Sequence, residues 1–138
     1  MASSTVKWIG GGQFVGIDST NHSVVLSTPD EGVGMKPSEL LLVAISACTA
    51  VDVVNILQKK RIELTFLEIK AEGTQDSDPP RAFRKIHLLY RLGGKGLTAA
   101  AVEQAIHLSE EKYCSVSNTV RGVAEITTAY ELVGESAG

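Results

Sequence analysis

The sequence has little of several features that mark specialised classes of protein. Two cysteines in 138 residues are too few for a disulfide-stapled secreted scaffold. A net charge of −3 lacks the basic excess of a dedicated nucleic-acid binder. Residues 1–9 contain no basic segment followed by an apolar run, so we expect no secretory signal and a cytoplasmic protein with reduced thiols. An apolar fraction of 43% excludes disorder of the whole chain, and the length predicts one domain, residues 1–138.

Motifs for metals and phosphates are also missing. His22, His87 and His107 have no paired spacing with one another or with the cysteines, and no C-x-x-C or H-x-x-x-H occurs. The glycine run at residues 10–12 lacks the phosphate-loop pattern and predicts a hairpin turn instead. We therefore expect no metal and no other cofactor.

Alternating apolar residues predict six strands, at residues 5–9, 14–17, 24–27, 62–73, 83–92 and 124–133. The first three form a meander, and the fourth and fifth form a hairpin that the glycines of residues 93–96 end. The alternation slips by one residue near Phe66 and Leu67, which predicts a β-bulge. Because strands come in runs, we expect an α+β fold with antiparallel sheets. We expect residues 135–138 to fray.

Residues 37–58 predict a long helix that is apolar nearly all round. Pro37 suits the first helical position, and Glu39 in the first turn suits the helix dipole. The apolar run of 18 residues is close to the length of a membrane span, but Asp52 and Asn55 within it argue against one. We therefore expect a helix buried on most faces. A chain this short cannot cover such a helix alone, which predicts an obligate homodimer.

The two cysteines lie in different settings. Cys48 lies about three turns into the apolar helix, where a free cysteine usually packs as a small hydrophobe. Cys114 follows 66 positions later, at the end of a second predicted helix over 98–113, among polar neighbours that indicate redox chemistry. Cys48 is too deep for its own helix N-terminus to lower its pKa, and Asp52 would oppose ionisation of the thiol if close and charged. The second helix is expected to bury a stripe of Val102, Ala105, Ile106, Ser109 and Tyr113.

Two segments carry a resemblance to a known family. Residues 37–42 (Pro-Ser-Glu-Leu-Leu-Leu) and 47–53 (Ala-Cys-Thr-Ala-Val-Asp-Val) resemble the first-cysteine helix of the osmotically inducible protein C and organic hydroperoxide resistance (OsmC/Ohr) family. Residues 111–117 (Glu-Lys-Tyr-Cys-Ser-Val-Ser) resemble its second-cysteine segment, and the sequence is most similar to the small YhfA-like branch. The resemblance implies an intertwined α+β homodimer with a long buried central helix and two sites at the subunit interface.

The resemblance also implies thiol-based reduction of organic, lipid-type hydroperoxides without metal or flavin. In that scheme Cys48 is the peroxidatic thiolate and becomes a sulfenic acid, and Cys114 resolves it to a disulfide. A dithiol or dihydrolipoyl-type reductant then restores both thiols. Neither nucleic acid nor a membrane is an expected partner.

The sequence departs from the family pattern at two activating positions. Gln13 stands where the hydroperoxide reductases carry an arginine, and a neutral side chain cannot replace the electrostatic effect of that cation. Ser38 stands where they carry a glutamate, so that Glu39, one residue on, is the candidate catalytic acid. We therefore expect the peroxidase activity to be slow or directed at another electrophile. The candidates for a replacement cation are Arg81, Arg84 and Arg121, and Asp52 is a further candidate activating residue.

Three functions remain open from the sequence. The first is the peroxidase that the family resemblance implies. The second is a non-catalytic dimer that binds a lipid or another small ligand in an apolar interface cavity. The third is a thiol redox sensor or disulfide-exchange factor.

Overall fold

A computed structural model describes residues 1–134, so the predicted frayed tail at 135–138 lies outside the described residues. The elements, in chain order, are β1 (Ser4–Trp8), β2 (Gln13–Asp18), β3 (Ser23–Ser27), α1 (Pro37–Lys59), β4 (Glu63–Gln75), β5 (Phe83–Lys95), α2 (Ala99–Leu108), a π-helical turn (Ser109–Tyr113), α3 (Ser115–Val120) and β6 (Glu125–Leu132). The predicted α+β class is confirmed. The described chain forms two compact units, one over residues 1–41 and one from residue 42 onward. The prediction of a single domain stays a prediction.

The first unit is the predicted meander. β1, β2 and β3 pair antiparallel in sequence order, and Trp8 faces Phe14 across the first hairpin. Gly10 and Gly11 turn that hairpin with φ angles of 110° and 53°, which glycine adopts without a steric penalty. The unit ends with the first residues of α1.

The second unit holds a three-stranded sheet in the order β4–β5–β6. β4 and β5 form the predicted antiparallel hairpin, whereas β6 lies parallel to β5. The expectation of purely antiparallel sheets is therefore wrong for this pair. The reason is the crossover: α2, the π-helical turn and α3 connect the two strands, and parallel neighbours require such a long connection.

The β4–β5 hairpin is longer than predicted and contains the expected bulge. The register shifts between Leu64 and Phe66, next to the predicted position. β5 does not end at the glycines but runs through Gly93 and Gly94 to Lys95. A Cβ on Gly94 would lie 2.5 Å from the carbonyl oxygen of Glu63, so the glycine allows the close approach of the two backbones at the bulge.

The core of the second unit lies between one stripe of α1 and the sheet. Ile45, Thr49, Val53 and Leu57 recur every fourth residue and are fully buried. Val43 and Val51 lie on the opposite side of the helix and are 46% and 59% exposed. By length and composition alone α1 could cross a membrane, but its buried stripe packs in the hydrophobic core with residues of β5 and α2. One chain thus buries one stripe of α1, and burial of its other faces by a partner subunit stays a prediction.

The second predicted helix changes its pitch before Cys114. Thr98 caps α2 by accepting a hydrogen bond from the N–H of Ala101, and regular α-helix ends at Leu108. In the π-helical turn that follows, the N–H of Cys114 donates to the carbonyl of Ser109 at 2.7 Å. The wider turn changes which side chains face inward, so Ser109 is buried and Tyr113 is 51% exposed. The prediction that Tyr113 belongs to the buried stripe is therefore wrong.

Candidate active site

The two cysteines meet in the second unit. Cys48 lies on α1, and Cys114 lies between the π-helical turn and α3. Their two sulfur atoms and a carboxylate oxygen of Asp52 all lie within 4.8 Å of one another. Both thiols are free; Cys48 is half-buried and Cys114 is fully buried. A disulfide requires an S–S distance of about 2.05 Å, so the two side chains start close to disulfide-forming positions and need a further approach.

The surroundings of Cys48 favour its thiolate form. Burial by itself raises the pKa of this thiol, but the backbone N–H of Val116, the thiol of Cys114, and the hydroxyl and N–H of Ser115 outweigh it. The pKa of Cys48 is therefore lowered from its ordinary value. The Ser115 hydroxyl lies 3.9 Å from the Cys48 sulfur. Ser115 and Val116 form the first turn of α3, whose N–H groups have no partner within their own helix.

Cys114 shifts in the opposite direction. Its burial raises its pKa, the hydroxyl and N–H of Ser117 lower it in part, and the neighbouring Cys48 raises it again. The Cys114 sulfur also caps α3 by accepting a hydrogen bond from the N–H of Ser117 at 3.4 Å. At a given pH, Cys48 is therefore ionised in preference to Cys114. Cys48 is thus the thiol that forms the nucleophilic thiolate more readily, and Cys114 stays protonated to a higher pH.

A buried chain of hydrogen bonds holds Asp52 in place. The Ser109 hydroxyl donates to Oδ2 of Asp52 at 2.8 Å and lies 2.7 Å from the Thr49 hydroxyl. The Thr49 hydroxyl lies 2.8 Å from the hydroxyl of Tyr90, which in turn donates to Oε1 of Glu110 at 3.1 Å. Burial raises the pKa of Tyr90, so this hydroxyl stays protonated. Asp52 lies close to Cys48, as the spacing of four positions on one helix predicts. A charged carboxylate there was expected to oppose ionisation of the thiol, yet the pKa of Cys48 is lowered.

Three further predicted site residues lie in the first unit. Gln13 lies on β2 and donates to Oε2 of Glu31 at 3.3 Å. Glu39 lies in the first turn of α1 and forms an ion pair with Lys36 at 2.9 Å. Ser38 is exposed in the same turn. Participation of Gln13, Ser38 and Glu39 in the chemistry of Cys48 stays a prediction.

The candidate arginines have other partners. Arg84 forms an ion pair with Asp76 at 3.0 Å. Arg121 donates to the carbonyl oxygen of Glu110 at 2.7 Å, and its guanidinium lies 3.6 Å from Oε2 of that side chain. The carbonyl of Arg81 accepts a hydrogen bond from Gln75. The largest contributions that lower the Cys48 pKa come from the N–H of Val116, the Cys114 thiol and the groups of Ser115. Activation of Cys48 by one of these arginines stays a prediction.

The sequence analysis did not identify Ser109, Ser115, Val116 and Ser117 as site residues. Their available signal was the run of small polar residues on either side of Cys114, which is unusual beside a packed core cysteine. That signal does not say which hydroxyl or N–H group faces Cys48, because the contacts join residues 60 or more positions apart.

Comparison with known proteins defines the class. The family model described as OsmC-like protein matches residues 28–129, and the chain belongs to this family. Among curated relatives, Protein YhfA of Escherichia coli (strain K12) is 37% identical over 128 residues, which cover 93% of this chain and 96% of the relative. The resemblance seen in the sequence is thereby confirmed.

Solved structures share the fold. A hypothetical protein from Aquifex aeolicus VF5 superposes with a TM-score of 0.88 at 31% identity, and the match covers 98% of each chain. The organic hydroperoxide resistance protein OhrB of Bacillus subtilis superposes with a TM-score of 0.65 at 18% identity, covering 95% of this chain and 98% of that one. At this identity the second likeness shows the fold alone.

Proposed function

We propose that the protein is a thiol peroxidase that reduces organic hydroperoxides, with Cys48 as the peroxidatic residue and Cys114 as the resolving residue. The observation that supports this most directly is the placement of two sulfur atoms within 4.8 Å of each other, with opposite pKa shifts. The half-buried thiol is the one whose thiolate is stabilised.

The reaction would proceed in two steps on the protein. The Cys48 thiolate attacks the distal oxygen of the hydroperoxide and the O–O bond breaks, which gives Cys48 sulfenic acid and an alkoxide that takes a proton to become the alcohol. The Cys114 sulfur then attacks the sulfenic sulfur, and the hydroxyl group leaves with a proton as water. The hydroperoxide is reduced by two electrons, and the two thiols are oxidised to one disulfide.

An external dithiol would close the cycle. Its thiolate attacks the disulfide, which frees one cysteine and forms a mixed disulfide with the other. Its second thiol then attacks the mixed disulfide, which frees the second cysteine and leaves the reductant as a disulfide. A dihydrolipoyl-type reductant has this chemistry.

The exposed side of α1 supports both the homodimer and an apolar substrate. Val43, Ala47 and Val51 recur every fourth residue and are exposed, a stripe whose burial by a second subunit would be favourable. Ala47 directly precedes Cys48 and is exposed, and apolar surface beside the reactive thiol would suit a lipid-type hydroperoxide. Light scattering should give the mass of a dimer; a stable, well-folded monomer would contradict the assembly but leave the thiol chemistry open to its own test.

Thiol titration after addition of one equivalent of cumene hydroperoxide tests the proposed chemistry. The wild type should lose both thiols to an intramolecular disulfide, and Cys114→Ser should lose one and form a sulfenic acid that dimedone traps. Cys48→Ser should lose neither on the same timescale. Equal turnover of the hydroperoxide by Cys48→Ser and the wild type would reject the proposal. Faster oxidation by glutathione disulfide than by the hydroperoxide would instead favour a disulfide-exchange factor.

A further inference from the structure

We propose that Cys48, Cys114 and Asp52 form a binding site for one thiophilic divalent cation, with Zn²⁺ as the best match, when the two cysteines are reduced. The three donor atoms lie within 4.8 Å of one another, although the sequence contains no metal-binding motif. This inference does not depend on peroxidase activity, because it concerns binding to the resting dithiol.

The donor set and its spacing fit a tetrahedral cation. Zn²⁺ binds thiolates at about 2.3 Å and carboxylates at about 2.0–2.2 Å, which places neighbouring donors roughly 3.5–3.8 Å apart. Donors that already lie within 4.8 Å reach this spacing by a shift of about 1 Å, which side-chain rotation can supply. Cys48 and Asp52 are four positions apart on α1 and so share one face of the helix.

Hydrogen bonds from outside the cluster of Cys48, Cys114 and Asp52 orient two of its three donor atoms. The Ser109 hydroxyl holds Oδ2 of Asp52 at 2.8 Å, and the N–H of Ser117 holds the Cys114 sulfur at 3.4 Å. Metal ligands in proteins are usually fixed by such outer contacts. The contacts exist here without a metal, so the cost of ordering these two side chains on binding is small.

A buried hydroxyl beside the cluster points to a ligand independently. The Ser117 side chain is fully buried, and within residues 1–134 its oxygen has no hydrogen-bond partner. Ser117 lies three residues after Cys114, and its N–H donates to the Cys114 sulfur at 3.4 Å, so the residue lies beside that sulfur. A buried hydroxyl without a partner is costly, and a metal-bound thiolate at Cys114 would give it a permanent acceptor.

The chemistry of the donors selects the class of cation. Two thiolates favour Zn²⁺ and similar thiophilic metals over Mg²⁺ and Ca²⁺, which prefer oxygen donors. Three protein donors leave a fourth tetrahedral position open to water. Cys48 is half-buried, and Asp52 lines a cavity of about 400 Å³ together with Asn55, Lys59 and Tyr113, so solvent reaches Asp52 from that side.

Metal binding and disulfide formation would exclude each other. Binding of Zn²⁺ to the two thiols releases two protons and leaves both sulfurs as metal-bound thiolates. Oxidation of these thiolates to a disulfide transfers two electrons to the oxidant and removes both sulfur donors, so the cation is released. The same cluster would thus hold a metal when reduced and lose it when oxidised.

Competition with a chromophoric chelator tests the site, using Zn²⁺ and the reduced full-length protein under anaerobic conditions. We expect one Zn²⁺ per chain, and with Co²⁺ the sulfur-to-metal charge-transfer and visible bands of a tetrahedral site. Loss of a residue that only contacts a metal ligand typically lowers metal affinity about 10–100-fold. Asp52→Asn removes a ligand itself, so it should weaken binding at least tenfold. Glu111→Gln, which removes an exposed carboxylate three positions before Cys114, is the matched control and should bind as the wild type does.

Oxidation of the wild type with diamide provides a second measurement that needs no substitution, and the resulting disulfide form should not bind Zn²⁺. Absence of stoichiometric binding by the reduced wild type would overturn the inference. Equal affinity of Asp52→Asn and the wild type would also overturn it, since the metal would then bind a plain dithiol. Hydroperoxide turnover is measured separately on metal-free protein, so failure of either proposal is recognisable without the other.

Discussion

Replacing Ser115 with proline should raise the pKa of the Cys48 thiol and slow its reaction with electrophiles. Ser115 is the first residue of α3 and provides two of the donors that lower this pKa, its hydroxyl and its N–H. Proline lacks both donors, yet its ring suits the first position of a helix. The preceding Cys114 has φ −75° and ψ 105°, an extended conformation that is compatible with a following proline. The substitution should therefore remove the donors and preserve the helix.

The expected size of the effect follows from the geometry of the contact. A hydrogen bond to a charged group contributes about 1.5–3 kcal/mol. The Ser115 oxygen lies 3.9 Å from the Cys48 sulfur, a long contact, so we take the lower end of this range. About 1.4 kcal/mol corresponds to a tenfold smaller thiolate fraction below the pKa. A more basic thiolate is also more nucleophilic, with a Brønsted coefficient of about 0.4–0.5, so the observed rate should fall only about three- to fourfold.

The measurement is the pH dependence of alkylation by iodoacetamide, made on a Cys114→Ser background so that one thiol reacts. Ser115→Ala keeps the N–H and loses the hydroxyl, so its pKa should lie between those of the parent and the proline variant. Circular dichroism checks that the helices persist. An unchanged pH profile in a folded Ser115→Pro variant would refute the assignment of these donors.

Three further outcomes are expected. Thr49→Val should lower the free energy of unfolding in urea by about 1–2 kcal/mol, because the buried hydroxyls of Tyr90 and Ser109 each lose a partner but keep another. Gly94→Ala should cost about 1–3 kcal/mol, because its Cβ would meet rigid backbone at Glu63. In single-cysteine variants, Cys48 should stay reactive at lower pH than an ordinary cysteine, and Cys114 should need higher pH, as the directions of their pKa shifts require.

Each of these outcomes has a control. Gly134→Ala is the control for Gly94→Ala, because it introduces a Cβ into open space and should change the free energy of unfolding by less than about 0.5 kcal/mol. Equal losses of stability in the two variants would contradict the argument that Gly94 allows the close approach of two backbones. Full stability of Thr49→Val would show that the hydroxyl chain does not hold the core. Coincident pH profiles of the two single-cysteine variants would show that their environments do not differ as the structure indicates.

Local sequence patterns predicted most of the helices and strands, because the features that determine these elements lie close together in the sequence. Apolar alternation and turn glycines place the meander and the hairpin, and Thr98 marks the start of α2 by its capping side chain. The three misjudged features depend on neighbours distant in sequence. β6 is parallel because of where its crossover returns, β5 continues through Gly94 because β4 bulges opposite it, and Tyr113 faces outward because the helix widens at Ser109.

The pairing of Cys48 with Cys114 came from motif resemblance, and the structure brings their sulfurs together. The expectation of an arginine beside Cys48 instead came from the activating arginine that the hydroperoxide reductases of the family carry. The donors that lower its pKa are the N–H of Val116, the Cys114 thiol and the hydroxyl and N–H of Ser115, and the sequence pattern does not show which of them faces Cys48. Backbone amides are the same in every sequence, so their role appears only when a helix N-terminus is placed against a thiol.

The amino-acid order alone was enough to predict the class of fold, the extent of the long apolar helix and the pairing of the two cysteines, because these follow from short-range periodicity and from two short motifs. Folding in three dimensions was needed to set the acidity of each thiol and to bring a carboxylate oxygen of Asp52 within 4.8 Å of both sulfurs. Acidity depends on distances between groups, and the contacts of this site join residues that lie 57 to 67 positions apart in the chain.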